Sequence, residues 1–137
     1  MSHLTDTMES KIVNHIFGNY GMSISGTLYF ALFTTMPADE NSAGVEPTSI
    51  AGYSRVAVSN NQTNFGSNVT DGIKKNKIAI TFPTASQSWG SIVGMGVFES
   101  ATLGALPIIA FTFGSPTTIA ANDIATFPID SITLTIT

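Results

Sequence analysis

The chain has no cysteine, which excludes disulfides and thiolate metal sites. Charge is nearly as scarce. Asp, Glu, Lys and Arg make up 10% of its 137 residues, against about 25% in an average domain. The balance is acidic, net −4, and five basic residues neutralise too little phosphate for a nucleic-acid partner. Lys74, Lys75 and Lys77 form the one basic cluster and read as a solvated turn before a strand. No apolar run approaches the roughly 18 residues of a membrane span. Met1-Ser2-His3 shows no basic segment of a secretion signal, so synthesis in the cytoplasm is the expectation.

Catalytic and ligand-binding patterns are also missing. There is no G-x-S-x-G elbow, phosphate-cradling glycine loop or H-E-x-x-H pair. Gly21-Met22-Ser23-Ile24-Ser25 comes closest to an elbow and lacks its final glycine. Of the two histidines, His3 sits in a terminal arm expected to be mobile, and His15 in a helix beside Ile16. Asp6 and Glu9 suit helix capping, Asp39 and Glu40 a loop, and Asp71-Gly72 a turn. Nothing in their spacing selects a pair for acid–base work. The triplets Asn61-Gln62-Thr63 and Asn68-Val69-Thr70 match the glycosylation sequon, but such triplets arise by chance in loops of this composition. The expectation is a protein with no enzymatic activity, no cofactor and no metal.

What is present is apolar: 43% of the residues are hydrophobic, with Ser, Thr, Asn and Gly filling most of the rest. That balance is the reverse of a disordered chain's. It fits a β-rich protein that covers surface by packing against partners. Size scaling allows roughly 7,000 Å² of folded surface, which leaves room for a core without staples.

Leu4, Met8, Ile12 and Ile16 recur every fourth residue, with Val13 and Phe17 widening the stripe. They predict a helix over 6–17, begun by Asp6 or Thr5 and ended by a left-handed Gly18. From 27 onward the pattern is that of strands. Thr27–Thr34, apolar on both faces, reads as a buried central strand. Further strands are expected at Tyr53–Ser59, Lys77–Phe82, Ser91–Glu99, Leu106–Phe113, Thr118–Ile119, Ala125–Ile129 and Ser131–Thr137. Residues 60–72 read as a long loop. Gly94 and Gly96 point to a bulge or a close backbone approach. The fold class is therefore mainly β: an antiparallel sandwich or jelly-roll-like barrel of about seven or eight strands with one short N-terminal helix. One domain spans 1–137, with the helix and arm in 1–20 and the β-sandwich in 27–137.

The ordered segments Tyr29-Phe30-Ala31-Leu32-Phe33-Thr34-Thr35-Met36-Pro37 and Gly52-Tyr53-Ser54-Arg55-Val56-Ala57-Val58 carry a resemblance. So do Ile80-Thr81-Phe82-Pro83-Thr84-Ala85, Trp89-Gly90, Gly96-Val97-Phe98-Glu99 and Leu134-Thr135-Ile136. In this order they resemble a family of small tailed-bacteriophage virion structural proteins, of tail-fibre-like or capsid decoration (cement) type. The turns Asn122-Asp123 and Ile129-Asp130 depart from the family pattern. The resemblance implies a virion component made in the host bacterial cytoplasm, partnered by copies of itself, as a trimer, and by the major capsid protein or other virion proteins. The leading expectation is a decoration protein that stabilises the assembled shell by binding between capsid subunits. A tail, collar or fibre-associated protein is the alternative. A third is a glycan-binding sandwich using Tyr20, Tyr53 or Trp89 as exposed platforms. Leu4, Met8, Ile12 and Ile16 are the candidate interface. Arg55 reads as an edge charge or partner contact, and Trp89 as a plug at one end of the core.

Overall fold

The computed structural model describes residues 2–38, 42–66 and 72–136. Asp39, Glu40, Asp71, the Asn68-Val69-Thr70 triplet and Thr137 lie outside them. A short strand β1 (Ser2–Leu4) leads into helix α1 (Asp6–Gly18) and the central strand β2 (Thr27–Phe33). Next come β3 (Val56–Ser59), the short helix α2 (Gln62–Phe65), β4 (Ile73–Lys75) and β5 (Ile80–Thr81). The chain closes with β6 (Gly90–Phe98), β7 (Ile109–Ile119), β8 (Thr126–Phe127) and β9 (Thr133–Thr135). All pairings are antiparallel: a five-stranded sheet in the order β1-β7-β6-β2-β3, and two ribbons, β4-β9 and β5-β8. The architecture is sandwich-like and does not close into a barrel.

The central strand is apolar on both sides because both sides are covered. Phe30 and Leu32 enter the main core with Tyr53, Ile80, Phe82, Trp89, Ile92, Met95, Val97 and Ile132. Ala31 and Phe33 turn to the other face and meet Phe98. Gly94 and Gly96 of β6 make that second face possible. Gly96 lies opposite Ala31, and a Cβ there would stand 2.6 Å from the Phe33 ring. At Gly94 a Cβ would collide with Met36 and the Phe111 carbonyl. The register of β6 against β7 shifts between Ile92 and Gly94, so Ile92 and Met95 share one face despite odd spacing.

Several expectations are corrected. The N-terminal arm is β1 rather than mobile: His3 pairs with Ala110 and Leu4 with Ile109. Ile109–Phe113 of the first expected strand and Thr118–Ile119 are parts of one strand, β7. Residues 113–116 fall between the pairs Gly94↔Thr112 and Ile92↔Thr117, so Pro116 sits where no ladder hydrogen bond is lost. The 60–72 segment holds α2, capped by the Asn61 side chain accepting from the Asn64 N–H at 2.9 Å. Phe65 of α2 stacks on Phe30 with centroids 6.2 Å apart. Lys74 and Lys75 belong to β4 rather than to a turn. The expected strands at 53–59, 77–82, 125–129 and 131–137 shorten to β3, β5, β8 and β9. Nine strands thus occur among the described residues, more than expected, and most of them are shorter.

The ribbons are short because side chains take over from ladders. Buried Asn76 donates through Nδ2 to the carbonyls of Ile78 and Pro128, both at 2.8 Å, and its Oδ1 accepts from the Ile132 N–H. One side chain thereby joins the segments around β4, β8 and β9. At the two turns that depart from the resembled pattern, Asn122 and Asp130 take left-handed conformations, which Asn and Asp tolerate better than other side chains.

Candidate functional site

Two places concentrate unusual chemistry, and the first is buried. Arg55, just before β3, lies under the sheet with its side chain 2% exposed, and Glu46 beside it is 8% exposed. Arg55 Nη2 donates to Glu46 Oε1 at 2.6 Å and Nε to the same carboxylate at 3.1 Å. Nη1 donates to the Ser100 carbonyl at 2.6 Å, and the guanidinium lies 3.6 Å from the Phe98 ring centroid. The Tyr53 hydroxyl donates to Glu46 Oε2 at 2.7 Å and accepts from the Leu32 N–H. Burial, then the hydrogen bond and charge of Glu46, push the Tyr53 phenol far above its ordinary value. The Leu32 N–H and the Arg55 charge oppose this less strongly. Trp89 meets Tyr53 edge-on at 5.3 Å and donates through Nε1 to the Ala51 carbonyl at 2.8 Å.

This cluster is closed. No buried side-chain nitrogen or oxygen among the described residues lacks a partner. Arg55 is neither an edge charge nor an exposed contact. It ties the 46–53 segment to the sheet and to the turn after β6. Trp89 does plug the core. Tyr53 and Trp89 are buried and offer no glycan platform, and of the three rings named for that role only Tyr20 faces solvent. Sequence reasoning missed Glu46, because nothing in the spacing of Glu46 and Arg55 announces a pair across a loop.

The second place is α1, and it is open. Thr5 is the N-cap residue, but its hydroxyl donates to the Pro107 carbonyl at 2.6 Å rather than to the helix. The expected Asp6–Glu9 capping box therefore gives way to a tertiary anchor. Lys11 Nζ reaches Glu99 Oε2 at 2.5 Å, and Glu99 Oε1 accepts from the Ser25 N–H at 2.9 Å. Partial burial works against the Glu99 charge, yet the bonds from Lys11 and Ser25 outweigh it and hold the carboxyl below its ordinary value. Met8 packs on the main core. At the far end Asn19, not Gly18, takes the left-handed cap. The Tyr20 ring folds back over Gly18, where a Cβ would come within 2.7 Å of it. His15 Nδ1 donates to the Tyr20 carbonyl at 2.8 Å.

The candidate interface residues separate accordingly. Leu4 lies in β1, Met8 is partly buried against the core, Ile12 is partly buried, and Ile16 is exposed. The outward side of the last two turns carries Val13 (54% exposed), Ile16 (64%) and Phe17 (87%), with Tyr20 (69%) beyond the cap. No residue of α1 is fully buried.

Residues 3–135 match the family described as Podophage GP4 fiber I protein gp80. The chain belongs to this family. As a member of the podophage fiber I family it is a structural protein of the phage virion, and the resemblance read from the strand segments agrees. No curated protein matches the chain.

Proposed function

We propose that the chain is a non-enzymatic structural subunit of the tail-fibre apparatus of a podophage, built into the particle by packing against neighbouring proteins. The observation that carries this reading is the match to a fiber I family over residues 3–135. Two features support it. The buried ionisable side chains Glu46, Tyr53 and Arg55 spend their hydrogen bonds on one another and on the backbone. A cleft of about 770 Å³ between β7 and β9 is lined by Met95, Phe111, Phe113, Phe127, Ile132 and hydroxyl residues, with no titratable group among the described residues that line it. The shell-decoration alternative draws on small size and low charge, which a fibre subunit shares.

The test is a mass-spectrometric copy count in purified virions, relative to the major capsid protein. A fibre subunit is present at a small fraction of the capsid count. Near-equal copies would move the chain to the shell as a decoration protein, and its absence from the particle would end the virion role.

A further inference from the structure

We infer that the apolar chamber between the main sheet and the β4–β9 ribbon is a binding site for a short alkyl chain ending in a carboxylate, whose head group meets Lys74. The inference goes beyond the structural-subunit reading and does not rest on it.

The chamber holds about 200 Å³ and is walled by Leu28, Phe30, Phe65, Val97, Ile109 and Leu134. Cavities of roughly 150 Å³ with walls of this kind stay dry and take up benzene. Left empty, a void of this size forfeits dispersion contacts on every side, and an apolar guest restores them. The polar residues that line it are Asn60, Lys74, Lys75 and Asn76. Asn76 has its side chain committed to Ile78, Pro128 and Ile132, and the Asn60 amide donates to the Ser25 carbonyl.

The lysines point to the head group. Ile132 is in the core, so Leu134, two residues on, and Lys74 opposite it lie on the same inner side of the ribbon. Ile73 takes the outward side and is 39% exposed. An inward lysine beside an outward isoleucine is the reverse of what burial alone selects. The Lys74 ammonium donates to the Gly66 carbonyl at 2.8 Å, which leaves donors over. Charge pairing singles out the same place. Of the five basic residues, Lys11, Arg55 and Lys77 each meet a carboxylate. Lys74 and Lys75 meet none among the described residues, and both line the chamber. A dry apolar space edged by two uncommitted cations suits an anionic amphiphile better than a neutral hydrocarbon, because the carboxylate gains charge-assisted hydrogen bonds. The small volume suits a short chain.

The test is an NMR titration of the methyl-labelled full-length chain with octanoate. The methyls of Leu28, Val97 and Leu134 should shift and saturate. These residues line the chamber and not the cleft between β7 and β9, so their shifts locate the guest. From butanoate through hexanoate to octanoate, affinity should rise about three- to fourfold per added methylene. Octanol, the same chain without the charge, should bind roughly fivefold more weakly than octanoate. Lys74→Gln, which keeps most of the side chain's length, should bring octanoate down to the level of the alcohol. No saturable shift at the three methyls would overturn the site. Equal binding of octanol and octanoate by the native chain would overturn the role of Lys74, whether or not the variant folds. Either failure leaves the fibre reading standing, since that reading is judged by copy number in virions.

Discussion

Around Arg55 the chain answers its own polar demands, whereas around Phe17 it leaves apolar surface in water. In the first region a guanidinium, a carboxylate and a phenol are packed with their hydrogen bonds matched. In the second, a helix is tied down at one end by a threonine, a methionine and a lysine, and its other end presents Ile16 and Phe17 outward. The contrast teaches where to look for function in a protein without catalytic motifs. A satisfied buried cluster fixes the shape of one chain, and an unsatisfied apolar face is what remains to be completed by another.

The comparison is sharpened first by breaking the closed region. Arg55→Met strands Glu46 in a buried site and should cost about 3–5 kcal/mol in denaturant unfolding. The double change Arg55→Met with Glu46→Gln should recover much of that loss. If the single variant costs less than about 1 kcal/mol, the cluster is not what holds the 46–53 segment. Next, Asn76→Ala leaves the buried Ile132 N–H and two carbonyls without their partner, and about 2–3 kcal/mol of stability should go with it.

Alkali probes the closed region without mutation. The folded-state value of Tyr53 is raised above its ordinary 10.0, so its contribution is complete below pH 10 and falls as the unfolded chain ionises above that. In an absorbance titration, the Tyr53 phenolate should appear only together with unfolding. Acid probes the tether of α1. Glu99 is held below its ordinary 4.5, so its contribution is present above that pH and lost as pH falls through the folded value. Glu99→Gln should therefore cost no more than about 1 kcal/mol at pH 7, and the difference from the native chain should vanish in acid. The smallest effect on stability belongs to Phe17→Asp, expected within about 0.5 kcal/mol because the ring is already solvated. A large loss there would mean that the ring packs within its own chain.

Much of this was legible in the sequence. The helix over 6–17, the two-faced strand at 27–33 and the bulge near Gly94 follow from periodicity and glycine placement, which are local signals. The ribbons did not, because β4, β5, β8 and β9 are set by Asn76 and by cross-chain pairing rather than by their own alternation. Two strands were expected where β7 runs unbroken, because residues 113–116, Pro116 among them, form an unpaired stretch within it. At the site, the stripe was visible but not its orientation. Leu4, Met8 and Ile12 looked equivalent to Ile16, yet Leu4 belongs to β1, Met8 packs on the core, Ile12 is half-buried and Ile16 is exposed. The Glu46–Arg55 pair depends on a loop path that no spacing reveals.

Hydrogen–deuterium exchange of α1, compared between the dilute isolated chain and intact virions, tests the central contrast most directly. The account predicts that amides of residues 13–18 exchange readily in isolation and become protected in the particle, while β2 and β6 are protected in both. Equal protection of α1 in the two states would contradict it, because the exposed face would then need no partner.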